Sequence, residues 1–156
     1  MADDLLHLLP PERIRVALAA PTKADVLREM AALASGADAV TDAESLLRDV
    51  EAREAVISTG VGQGLALPHA RTTAVSETVV AFATLAEPVD YDALDGAPVR
   101  LVLLLAGPES ERSRHLRLLS RVSRVMADDE TRQRLLAAAT PHEVLEVIAE
   151  AEAALA

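Results

Sequence analysis

The chain has 156 residues, 51% of them apolar and 26% charged, and its 25 acidic against 15 basic side chains give a formal net charge of −10. That length suits one domain with a core of its own, and the composition excludes wholesale disorder. With no cysteine, disulfides, thiolate metal sites and cysteine nucleophiles are excluded; with Phe82 and Tyr91 as the only aromatics, so are base-stacking platforms for nucleic acid. The negative charge further argues against binding to nucleic acid or to an anionic membrane surface.

The opening Met1-Ala2-Asp3-Asp4 is acidic and lacks the basic region of a secretory signal, and the longest apolar runs fall far short of a membrane span. The expectation is a cytoplasmic protein with no membrane insertion. Pro10-Pro11 and Pro21 bracket Arg13–Ala20, whose start alternates like a strand. From Thr22 to Ala34, apolar residues recur at helical spacing, with Thr22 as cap, Asp25 at the third position and Gly36 as stop. A second helix begins near Asp42, with Thr41 read as its cap, and carries Glu51, Arg53 and Glu54 near its end.

Ser58 to Gly64 (STGVGQG) then places three of the six glycines within five positions and reads as a loop rather than helix or regular strand. Leu65-Ala66-Leu67 is a short apolar strand, stopped by Pro68-His69. Thr78–Leu85 and Val99–Ala106 are apolar runs bounded by Glu87-Pro88, Asp95-Gly96 and Gly107-Pro108; both read as strands, the second buried on both faces. Helices follow at Glu109–Met126 and Asp128–Ala139, and a third starts at Pro141 with Thr140 as cap. Strands in the middle and helices on both flanks predict a single α/β (α+β) domain over residues 1–156, its core about 12–150: a mixed β-sheet flanked by helices.

Of four histidines, His7 and His142 read as solvated. His69 is presented by a rigid Pro-His step beside glycines whose backbone can turn sharply and offer N–H donors to an anion, an arrangement suited to phosphoryl chemistry. A strand end with a satisfied histidine is the competing reading, and on these residues alone the two stand level. Gly60-x-Gly62-x-Gly64 matches neither the dinucleotide fingerprint nor a P-loop, so nucleotide binding is not expected. His115 falls on the apolar side of its helix with Leu118, Leu119, Val122 and Met126. Arg114, Arg117, Arg121 and Arg124 line an adjoining stripe, either a solvated face paired with acids or a docking surface.

The run Ser58-Thr59-Gly60-Val61-Gly62-Gln63-Gly64-Leu65-Ala66-Leu67-Pro68-His69 resembles the motif of mannitol/fructose-type enzyme IIA domains of the bacterial phosphoenolpyruvate-dependent phosphotransferase system, a family that includes the nitrogen-regulatory enzyme IIA proteins. The similarity extends from the helix near Lys23 through the C-terminal helices. It implies the mixed-sheet fold of that family, and a free-standing phosphocarrier without fused IIB or IIC domains. It puts His69 in the place of the phosphoryl acceptor, with Arg53 helping to hold the phosphoryl group and His115 beside it at the rim of the site. Backbone N–H groups of the Thr59, Gly60, Gly62, Gln63 and Gly64 segment complete the expected phosphoryl-binding loop. Gln63 stands where some sugar-specific members have glutamate, and Ala70 where glycine is common. The implied partners are an HPr-type phosphocarrier upstream and, downstream, an enzyme IIB cysteine or, for a nitrogen-type regulator, a target protein; no cofactor or metal is implied. A metal-dependent hydrolase using His69, His115 and an aspartate is the remaining alternative, and its spacing fits no ligand motif.

Overall fold

A computed structural model describes residues 4–155. The chain order is α1 (Leu5–Leu8), a 3-10 turn (Pro11–Arg13), β1 (Ile14–Leu18), α2 (Lys23–Ala34), α3 (Ala43–Val56), β2 (Gly60–Gly62), β3 (Leu65–Ala66), β4 (His69–Arg71), β5 (Val79–Val89), β6 (Val99–Gly107), α4 (Arg112–Met126), α5 (Asp129–Ala137) and α6 (Pro141–Ala154). The strands form one six-stranded sheet in the order β1-β5-β6-β3-β2, with β4 also pairing with β6. It is a mixed sheet: β5 runs antiparallel to β6 (Phe82 opposite Leu103) and β2 antiparallel to β3, whereas β1 runs parallel to β5, and β3 and β4 parallel to β6.

Period-two alternation divides β5 and β6 between two cores. On one face Ala81, Ala83, Val102, Leu104 and Ala106 meet Val26, Met30, Leu46 and Val50 of α2 and α3. On the other Val80, Phe82, Leu101, Leu103 and Leu105 meet Leu118, Val122, Leu135, Val144 and Ile148 of α4, α5 and α6. Small side chains on the first face let α2 and α3 sit close. Both faces are covered, so the two strands read as unbroken apolar runs rather than as alternating ones.

Thr22 and Thr140 cap their helices as expected, accepting from the backbone N–H of Asp25 and Glu143. Three expectations are corrected. Asp42, not Thr41, caps α3, accepting from Ser45 N; Thr41 instead donates from its backbone N–H to the Ala74 carbonyl at 2.7 Å. The glycine run is not a loop: Gly60 pairs with Ala66 and Gly62 with Leu65 in an antiparallel hairpin, with Gly62, Gln63 and Gly64 all at positive φ at its tip. Glu87-Pro88 does not end β5, which continues past a register irregularity to pair Val89 with Val99.

Candidate functional site

His69 opens β4, pairing with Leu105, so only Leu67 and Pro68 separate it from the end of β3. That step turns the imidazole back onto its own backbone: Nδ1 lies 2.7 Å from the Leu67 carbonyl oxygen. A carbonyl only accepts, so Nδ1 carries the proton and Nε2 keeps its lone pair. The ring is half-buried. Burial lowers its pKa below the ordinary histidine range and the nearby Arg53 charge adds to this, while the Leu67 bond and the Glu54 charge pull the other way. His69 is thereby neutral near pH 7, as a nucleophile must be.

His115, from the first turns of α4, lies beside it with ring centroids 5.6 Å apart and planes at 51°. It is 5% exposed, and neither ring nitrogen has a hydrogen-bond partner among the described residues. Burial, then the charges of His69 and Arg71, push its pKa down to about 4. Gly107 makes room for it: a Cβ there would stand 3.2 Å from His115 Nδ1. A buried imidazole without partners costs roughly 1–3 kcal/mol and suits a ring that gains its partner on ligand arrival.

Arg53 sits in the last turn of α3 and donates from Nη1 to the Ile57 carbonyl at 3.3 Å, a single long bond that leaves most of its donors unused. Its neighbour Glu54 faces inward. That carboxylate accepts from Thr59 N at 2.8 Å, from the Thr59 hydroxyl and from Tyr91 OH at 3.1 Å, and pairs with Lys23 Nζ at 2.9 Å. Burial works to raise the Glu54 pKa, but the Thr59 and Lys23 contacts outweigh it and hold the group ionised. Lys23 also lies 4.7 Å over the Tyr91 ring. These bonds tie the end of α3 to the segment leading to His69, because the Thr59 carbonyl accepts from Leu67 N at 2.9 Å.

The structure therefore brings His69, Arg53, His115 and Thr59 together, with Gly60 next along the hairpin. It does not bring Gly62, Gln63 and Gly64 to them. In the β6 register Leu65 stands opposite Leu101 and His69 opposite Leu105, which sets the hairpin tip about 13 Å or more away at ~3.3 Å per residue. The tip is also occupied: the Asp95 carboxylate accepts from Gln63 N at 3.1 Å, and the Gln63 side chain accepts from Arg132 at 3.4 Å. A donor already held by the chain's own carboxylate is no anion cradle. His7 and His142 are exposed, each beside one carboxylate (Asp4 and Glu146), and among the described residues no three His, Asp or Glu side chains converge as a metal site would need.

Glu54, Lys23, Tyr91 and Gly107 are the residues that sequence reasoning missed. Only Glu54 carried a signal, an acid beside the singled-out arginine on a helix end.

Residues 7–151 match the family model for the phosphoenolpyruvate-dependent sugar phosphotransferase system, EIIA 2. The chain is 36% identical over 147 residues to the fructose-specific EIIA component of Haloferax volcanii, covering 94% of this chain and 96% of that one. It is 34% identical over 148 residues to the nitrogen regulatory protein of Pseudomonas aeruginosa, covering 95% and 96%. Against the fructose-specific EIIABC component of Bacillus subtilis, at 33% identity, it spans 23% of that protein's length. Among solved structures, nitrogen regulatory protein IIA-Ntr from Neisseria meningitidis superposes with a TM-score of 0.87 at 30% identity, over 92% of this chain and 98% of that one. The fold is shared too by enzyme IIA mannitol in its complex with phosphorylated enzyme IIB mannitol from Escherichia coli (TM-score 0.78, 24% identity, 92% and 99% coverage). No helix among the described residues is long and apolar enough to cross a membrane. The chain belongs to the EIIA 2 family of the phosphoenolpyruvate-dependent sugar phosphotransferase system.

Proposed function

We propose that the protein is a phosphocarrier that accepts a phosphoryl group from phospho-HPr on Nε2 of His69 and passes it to a cysteine of an enzyme IIB. The observation that carries this reading is the 2.7 Å bond from His69 Nδ1 to the Leu67 carbonyl, which leaves a neutral ring with one free lone pair. In the first step that lone pair attacks phosphorus, the P–N bond to the donor histidine breaks, and the bond's electron pair stays on the donor ring. In the second a thiolate attacks the same phosphorus and the bond to His69 Nε2 breaks in turn. Such transfers rest on positioning and charge stabilisation. Arg53 supplies the fixed cation and His115 a hydrogen-bond donor whose ring nitrogens have no other partner. Thr59 serves through the Glu54 network, by holding the strand that carries His69, and Gly60 by the close passage of the hairpin beside Ala93. Gly62, Gln63 and Gly64 have no part in holding the group.

The similarity to nitrogen regulatory proteins supports a second reading that shares the first step: phosphorylation of His69 as a switch for docking to a target protein, with no sugar route. Incubation with phosphoenolpyruvate, enzyme I and HPr tests the shared step. An acid-labile, alkali-stable adduct of about 80 Da is expected on the native chain and none on His69→Ala. Equal labelling of the two refutes the assignment, and onward transfer to an isolated IIB domain separates the carrier from the switch.

A further inference from the structure

Helix α4 carries arginines at 112, 114, 117, 121 and 124 and no acidic residue, in a chain of net charge −10. The reaction above uses none of them. The inner face of α4 packs Leu118, Val122 and Val125 against the sheet. Its outer face borders an open trough of about 800 Å³ shared with α6 and α1. Leu6, Leu116 and Leu155 line it, with Leu116 54% and Leu6 40% exposed. On the α6 side Ala149 and Ala153, one turn apart, keep the wall low. In the middle Arg121 pairs with Glu152 at 2.6 Å and lies 3.7 Å from Asp4, and both acids line the trough; Glu152 also accepts from the backbone N–H of Leu5 and Leu6, so this cluster is part of the scaffold. Arg117 and Arg124 line the trough one turn to either side of Arg121, about 10 Å apart along the axis.

We propose that this trough is a docking site for an acidic amphipathic helix of a partner protein. A low apolar floor between two helices, two turns long and edged by a helix with five arginines and no acid, fits helix-in-groove recognition: leucine-sized anchors below, carboxylates along the arginine-bearing rim. The charge distribution fixes the sign of the partner. In a chain of net charge −10, this arginine-rich helix is a surface that attracts an acidic segment. A free long-chain carboxylate is the poorer fit, because the trough lies open along its length and would leave an acyl chain half in water.

The test needs no phosphoryl transfer. A labelled helical peptide of about five turns, with leucines at i, i+4 and i+7 flanked by glutamates, is titrated with the full chain, beside a peptide with glutamine for every glutamate and beside dodecanoate. The expected result is saturable binding of the acidic peptide alone, weakened by salt, with amide shifts confined to α4, α6 and Leu6. Arg124→Glu combined with Leu116→Asp weakens it about tenfold or more, and Arg124→Ala alone about threefold, while the rate of His69 phosphorylation is unchanged. Equal binding of acidic and neutral peptides, no binding of either, shifts elsewhere, unaltered affinity in both variants, or binding of dodecanoate in preference to the peptide overturns the proposal.

Discussion

Acidification destabilises this fold through His115, beginning well above the ordinary carboxylate range. The His115 pKa is pushed down to about 4 in the folded chain against an ordinary value of 6.5. The unfolded chain therefore takes up a proton at pH values where the folded chain refuses it. Stability from this group is level above pH 6.5 and falls as pH drops from 6.5 toward 4, by about 3 kcal/mol across the whole window at ~1.36 kcal/mol per pH unit. Between pH 7.0 and 5.5 the loss is about 1 kcal/mol, a large share of a marginal stability. Over the same range Glu54 stays ionised in both states, since its folded pKa lies below the ordinary 4.5, so its own loss begins only at more acid pH. His69, also lowered, adds a loss of the same sign. Urea unfolding from pH 5 to 8 measures the slope, and His115→Gln flattens it by about 1 kcal/mol between pH 7.0 and 5.5. A variant whose slope matches the native chain, or a His115 ring that titrates near 6.5 by NMR, refutes the burial argument.

Other perturbations separate chemistry from scaffold. Arg53→Ala slows transfer to His69 roughly tenfold or more, by the loss of a charge-assisted contact of ~1.5–3 kcal/mol, and leaves urea stability within about 0.5 kcal/mol; rapid-quench labelling reads the first and denaturation the second. Glu54→Gln weakens the bonds from Thr59 and Tyr91 and leaves Lys23 without its anion, destabilising by roughly 2–4 kcal/mol in the same denaturation measurement. Gly60→Ala puts a Cβ 2.8 Å from the Ala93 Cβ and 2.9 Å from its Cα, so the hairpin or the loop after Tyr91 must shift, at a cost of about 1–3 kcal/mol seen as a lowered Tm.

What was legible in the sequence was local. Thr22 and Thr140 announce their helices because a cap and its first turn lie within four residues. The apolar runs of β5 and β6 announce strands because both faces are covered. The hairpin at Gly60–Gly64 was misread because glycine lowers strand propensity, whereas its pairing depends on Ala66 and on the long-range contact of Leu94 N with the Gly60 carbonyl. Placing the whole run beside His69 followed sequence proximity, and the parallel register with β6 carries its tip away. The Glu54 network was invisible for a related reason: its partners come from positions 23, 59 and 91, and no local pattern joins them. His115 looked apolar in its helical setting, and it is buried; only the third dimension sets it against a second imidazole.

The acceptor for His69 Nδ1–H is main chain, contributed by Leu67. Regiochemistry of modification at this imidazole is therefore inherited from the path of the strand and not from any side chain. Substitutions at Leu67 that preserve that path leave the reactive nitrogen the same, whereas a change at Pro68 that lets the backbone relax frees both nitrogens to compete. Mixed isomers of the phosphorylated ring would then report on backbone geometry, and the linkage isomer becomes a gauge of how straight the polypeptide runs through this step.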